Sequence, residues 1–171
     1  IFKEVGLPEC VTCHDHHLVS KTSDEMLGVG EKSVCMQCHT EPESEPYKVA
    51  FQIKANLDSL KNSIRQAQLL IQKAEKAGID VAKAKFELNL AKDDVIRIQS
   101  LIHSVSLVKV TEVTQEGISK ATFVKQSGQR ALLDLKMRRI GLGGSAVIIL
   151  ILALGLYLKI RELEIRSKRV K

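Results

Sequence analysis

All four cysteines of the chain fall in two C-x-x-C pairs, and a histidine follows each pair directly: CVTCH at Cys10–His14 and CMQCH at Cys35–His39. Two thiols three positions apart lie on one turn of chain, where both can add to the vinyl groups of a single porphyrin. The imidazole behind them then points at the porphyrin iron as an axial ligand. This is the spacing of c-type haem attachment. It occurs twice between Cys10 and His39 and uses every thiol in the sequence. The expectation is two haems c, one held by Cys10, Cys13 and His14, the other by Cys35, Cys38 and His39.

Zinc is the rival. C-x2-C, twenty-one residues, then C-x2-C is near the spacing of a zinc ribbon. A ribbon has no use for a histidine behind both pairs, so a zinc-binding membrane protein stands as the minor alternative. Haem also accounts better for residues 1–45, which hold few large apolar side chains. A chain that short does not fold around so small a core, whereas a covalent porphyrin supplies an apolar one.

A low-spin electron-transfer haem needs a sixth ligand, His or Met. The sequence offers His16, His17 and His103, with Met26, Met36 and Met137 as weaker options. His16 and His17 follow His14 so closely that they are tethered to its proximal side; they suit the iron of a neighbouring haem. His103 follows Ile102 at the end of a helical pattern, on an element rigid enough to approach a haem. The bland readings are solvated histidines and methionines used as packing.

The elements that must position these groups follow in order. Residues 1–45 are acidic and rich in Gly, Ser, Thr and Pro, which predicts loops and short turns. Pro46 is placed to open a helix at its first turn. Ile53, Leu57, Leu60, Ile64, Ala67, Ile71 and Ala74 then recur at alternating spacings of four and three, a heptad seam of coiled-coil type. Gly78 suits a helix end and Asp80 the next N-cap. A second seam runs Ala84, Leu88, Ala91, Val95, Ile98, Ile102 and Val105. The two together predict an antiparallel hairpin over 46–110. A third pattern, Val113, Gly117, Ala121, Val124, Gly128, Ala131 and Leu135, is poor in large side chains. It predicts a helix over 111–139 that lies close against the hairpin without driving its association.

Ile140 to Leu158 is a run of nineteen uncharged residues bracketed by charge. At about 1.5 Å per residue it is long enough to cross a hydrocarbon core of about 30 Å. Tyr157 and Lys159 are placed as interfacial anchors. The fold class expected is therefore mainly α: a loop-rich dihaem module over 1–45, the hairpin, a third long helix, one transmembrane helix over 140–158 and a basic tail over 159–171.

The formal net charge of +6 is unevenly spread. Residues 1–45 carry three lysines against nine acids, and residues 159–171 carry six Lys/Arg against two Glu. A basic tail behind an apolar run is a membrane pattern. With no tryptophan and few aromatics there is no stacking platform for bases, so nucleic acid is not an expected partner. Because c-type haems are attached outside the bacterial inner membrane, the haem module is expected on the periplasmic face and the C-terminus in the cytoplasm. The chain begins at Ile1 without an apolar leader. An export signal removed or lying outside this sequence is therefore expected, as is a further part upstream.

The stretch CVTCHDHHLVSKTSDEMLGVGEKSVCMQCH resembles the paired C-x-x-C-H unit of multihaem c-type cytochromes. In that unit the first motif continues C-H-x-P-H, and the second histidine falls on His17; the usual proline is His16 here, so both remain candidate distal ligands. GIDVAKAKFELNLAKDDVIRIQSLIHS resembles the long helical hairpin after the last haem in some of these cytochromes, where a histidine near the helix end is an axial ligand. That resemblance implies such a role for His103. One histidine is then left over, for a haem of another chain or of an upstream segment. The function expected is electron transfer through bis-His haems. The expected partners are membrane lipid and other cytochrome or quinone-linked redox subunits of a respiratory or related complex, with the acidic head steering a basic partner. The alternative is a subunit of a multihaem reductase with one open haem site; a sensor is not the expected reading, because the thirteen residues after the apolar run are too short for an output domain.

Overall fold

A computed structural model describes residues 9–14, 17 and 21–169. They form four α-helices and three short 3-10 turns, and no strand occurs among them. Helix α1 is a single turn, Cys10–His14; α2 is Glu45–Lys76, α3 is Ala82–Leu101, and α4 is Leu107–Arg169. The 3-10 turns are Asp24–Met26, Cys35–Gln37 and Ile102–Ser104. The fold is mainly α, as the periodicity predicts.

Local chemistry sets the helix ends. Pro46 lies in the first turn of α2, where its missing N–H leaves no bond unmade. At the other end Gly78 takes φ +82°, the left-handed region that glycine enters without steric cost. Its N–H donates to the Glu75 carbonyl at 2.9 Å and the Ile79 N–H to the Ala74 carbonyl at 3.1 Å. Those two bonds close a Schellman end. Asp80, expected as the N-cap of α3, stands one residue before it: Val81 is the N-cap, and the Asp80 carboxylate accepts from the Ala82 N–H at 3.0 Å.

The seven seam residues of α2, Ile53 to Ala74, are all buried. On α3 the seam holds at Ala84, Leu88, Ala91 and Ile98, with Val95 and Ile102 partly covered. Val105 departs from it. It is 67% exposed, with φ +49°. The reason is local: α3 tightens into the 3-10 turn Ile102–Ser104 and the chain reverses through Val105 into α4. A β-branched residue there carries backbone strain of about 1–3 kcal/mol.

The third helix is more than a passive layer. Helix α4 runs parallel to α2 and antiparallel to α3, and it touches each of them more extensively than they touch each other. Its small residues allow the approach. A Cβ on Gly117 would stand 2.7 Å from Leu60 Cδ1 and 3.2 Å from Asp94 Cβ. Burying Val110, Val113, Ala121 and Val124 completes the core. So the low bulk of this seam is what lets the helix close the bundle. Asp94, in this same close approach, is buried and takes an ion pair from Lys120 at 2.8 Å, while Lys120 also reaches Glu116 at 2.8 Å. Burial pushes the Lys120 ammonium down, but hydrogen bonds to Asp94 and Glu116 outweigh it and hold the group above its usual value.

Helix α4 is unbroken from Leu107 to Arg169, so the third helix and the apolar run are one element. It begins beside the open end of the hairpin and leaves the bundle beyond the Gly78 turn. Past Lys136 its apolar side chains, Leu142 to Leu158 among them, are exposed. It is long and apolar enough to cross a membrane.

Candidate functional site

Both motifs are held in helical turns. In the first, α1 places Cys10, Cys13 and His14 on one turn, opened by a Thr12 N–H to Glu9 carbonyl bond of 3.0 Å. In the second, the 3-10 turn Cys35–Gln37 is followed by a bond of 3.0 Å from the His39 N–H to the Cys35 carbonyl. Ser33 holds that turn in place. Its buried hydroxyl donates to the Gly28 carbonyl at 2.5 Å and accepts from the Cys35 N–H at 3.2 Å.

Among the described residues, contacts of Gly28, Leu27 and Asp24 help dock the module on the open end of the hairpin. Gly28 takes φ +88°, and a Cβ there would meet Lys54 Cβ at 2.8 Å, so only glycine lets this loop lie on α2. Leu27 packs on the core. Asp24 bridges both hairpin helices, accepting from Lys61 of α2 and from Gln99 Nε2 of α3 at 3.2 Å. Partial burial raises the Asp24 pKa, but the hydrogen bonds from Lys61 and Gln99 and the charges of Lys61 and Lys54 override it and leave it lowered.

A depressed carboxyl contributes stability that is full above its unfolded pKa and lost as pH falls through the folded one. Docking should therefore be flat from pH 8 down to about 5 and weaken below about 4, near and under the ordinary carboxylate value. Asp24→Asn should cost about 1 kcal/mol at pH 7, a modest figure because the pair is partly exposed. Unfolding curves of both proteins at pH 7 and pH 3.5 check this: the gap between them should shrink at the lower pH.

All four cysteines are free thiols. Burial raises the Cys13 thiol pKa, and the charges of Cys35, Cys38 and Cys10 raise it further, which places the four sulfurs in one region. Yet no three His, Cys, Asp or Glu side chains converge on a metal point among the described residues.

The structure brings His14 and His103 together across 89 positions. The rings of His14 and His103 lie 6.1 Å apart between centroids, their planes 23° from parallel. Two imidazoles bound to one metal by bonds of about 2 Å hold their centroids roughly 6 Å apart. His103 lies in the 3-10 turn, and its Nδ1 is 3.1 Å from the Ser100 carbonyl oxygen. A carbonyl only accepts, so Nδ1 carries the proton and Nε2 keeps its lone pair for a metal, the usual arrangement of a ligating histidine. The ring separation equals that span, so His14 and His103 are close enough to share one haem iron.

The other candidates are placed differently. His17 is exposed, as is His39, and His16 lies outside the described residues. Met26 and Met36 are half-buried within the module. Met137 is exposed, some thirty residues along α4 from its start beside His103, and so is no ligand for either motif.

Residues 4–44 match the family model of the doubled CXXCH motif. The match supports covalent haem c and electron transfer of the kind carried out by multihaem c-type cytochromes. No curated protein and no solved structure matches the chain.

The docking residues Asp24, Gln99, Lys61 and Ser33 are absent from the sequence reading. Asp24 and Gln99 are 75 positions apart, and nothing local marks such a pair. Gly28 lies in a Gly-rich loop signal, LGVG, which hints at a special backbone and does not say against what.

Proposed function

We propose that this chain is a membrane-anchored dihaem electron carrier within a larger electron-transport complex. Its haem module stands on the outer face of a bacterial inner membrane, and its C-terminus lies in the cytoplasm. The observation that carries the reading is the pairing of His14 with His103 at a ring separation suited to one shared iron. With both axial positions filled by imidazole, a haem passes single electrons at low potential and binds no substrate. Cys10 and Cys13 hold the first porphyrin, and Cys35 and Cys38 the second. His14 and His39 are the proximal ligands, and His103 completes the first iron. His17, with His16 beside it, is left for the second iron or for a haem of a neighbouring segment.

The anchor fixes where partners meet the head. At about 1.5 Å per residue, the 33 residues of α4 from Leu107 to Arg139 hold the His14–His103 end of the module about 50 Å from the apolar run. Exchange then takes place with a redox protein at the acidic head, away from the bilayer. Visible and electron spin resonance spectra with and without carbon monoxide test the reading. Two low-spin haems indifferent to carbon monoxide are expected; a high-spin component that binds it would favour a reductase with an open site.

A further inference from the structure

Where the hairpin ends, a groove of about 820 Å³ opens between the last turn of α2 and helix α4. Lys73, Lys136 and Arg139 line it together with Leu132, Leu133 and Ile140. Among the described residues none of these three cations takes part in an ion pair, although neighbouring acids do: Asp134 is held by Arg138 and Glu75 by Lys85. Three uncompensated positive charges thus surround a wall that is apolar apart from Gln129.

The level of the groove is informative. Ile140 opens the uncharged run, so Arg139 lies about 1.5 Å and Lys136 about 6 Å above it along the helix axis. The headgroup layer of one leaflet is about 5–8 Å deep. Lys136 and Arg139 therefore sit at the height of lipid phosphates, Lys73 lines the groove from about 13 Å above Ile140, and Leu133 and Ile140 lead toward the acyl region. Both leucines and Ile140 would be a poor lining for a free anion alone.

We propose that this groove binds the headgroup of an anionic phospholipid of the outer leaflet. Lys73 on the hairpin and Lys136 and Arg139 on α4 grip the phosphate from two sides, and the first acyl carbons lie on Leu133 and Ile140. The bound lipid ties the hairpin end to the emerging helix and so sets the stalk upright. The site rests on the membrane-anchored reading of α4. It uses two of the five Lys/Arg between Lys125 and Arg139, namely Lys136 and Arg139.

The test uses the purified haem-loaded full chain in nanodiscs doped with spin-labelled phosphatidylglycerol or, separately, spin-labelled phosphatidylcholine. The wild type should hold the anionic lipid with a preference of roughly tenfold. Lys73→Gln with Lys136→Gln and Arg139→Gln should reduce the preference severalfold, while the haem spectrum and helicity stay unchanged. Equal retention of the two lipids by the wild type would overturn the proposal without recourse to the variants. Displacement of the labelled lipid by millimolar inorganic phosphate would overturn it as well, assigning the groove to the free ion. Protein stripped from vesicles by alkaline carbonate would defeat the anchoring reading itself, and the site with it.

Discussion

Replacing His103 with alanine should leave both covalent haems attached and convert one of them to a high-spin form that binds carbon monoxide. The covalent links belong to the cysteines, which the change does not touch. What is removed is an imidazole whose ring lies 6.1 Å from that of His14, with Nε2 left open by the Nδ1 contact to Ser100. Because His103 is exposed in a 3-10 turn, its truncation alone should cost the fold no more than about 0.5 kcal/mol. A change in spin state with little change in unfolding midpoint separates ligation from packing. His103→Met supplies the matching control. It should keep that haem low-spin and raise its reduction potential, since Met/His ligation does so relative to bis-His. Spectra of His103→Ala identical to wild type, with no carbon monoxide complex, would show that another residue occupies the sixth position.

The second large effect is one of distance. A haem module held about 50 Å from the bilayer by α4 lies far beyond a single electron-transfer step, because tunnelling decays exponentially with separation. In proteoliposomes containing a quinol, the purified chain alone should therefore stay oxidised over the time in which a water-soluble reductant reduces it fully. Its rate with a basic soluble redox protein should fall as salt is added, since residues 1–45 bear nine acids against three lysines. Rapid reduction of the isolated chain by membrane quinol would mean that the stalk lies along the bilayer or that the head folds down to it.

The bundle was legible from the residues because heptad spacing is a local signal with a global consequence. Every seam residue expected on α2 is buried. The Gly78 end and the Asp80 bond that leads into α3, one residue ahead of the Val81 N-cap, follow from the conformational freedom of glycine and the acceptor oxygen of aspartate, again local properties. Val105 shows the limit of that signal. Its spacing continues the seam, but the chain has already tightened into a 3-10 turn, and periodicity carries no mark of where a helix stops without Gly or Pro. The buried Asp94 is a second limit. A seam position can hold a carboxylate when Lys120, 26 positions on, comes back to meet it.

The site was legible to a different degree. Both C-x-x-C-H runs declare their chemistry through spacing alone, and residues 4–44 match the doubled motif. His103 was a candidate through its place at the end of the second seam and through a looser resemblance, but nothing within its own helix points to His14. That meeting is a product of the dock, in which Asp24 spans α2 and α3 and Gly28 lies against Lys54. Such contacts depend on how the hairpin closes, so composition and spacing carry no trace of them. The small side chains of α4 were visible from the start, but their function was not. Gly117 reads as a weak seam residue until the helices are assembled, when its missing Cβ is what admits Leu60.

The intact mass of the protein, produced in cells with a working c-type maturation system and measured under denaturing conditions, tests the central claim most directly. The account predicts the mass of the chain plus two haems, falling by one haem in Cys10→Ser with Cys13→Ser and by one in Cys35→Ser with Cys38→Ser. A bare chain, or one carrying zinc that chelators remove, would contradict it.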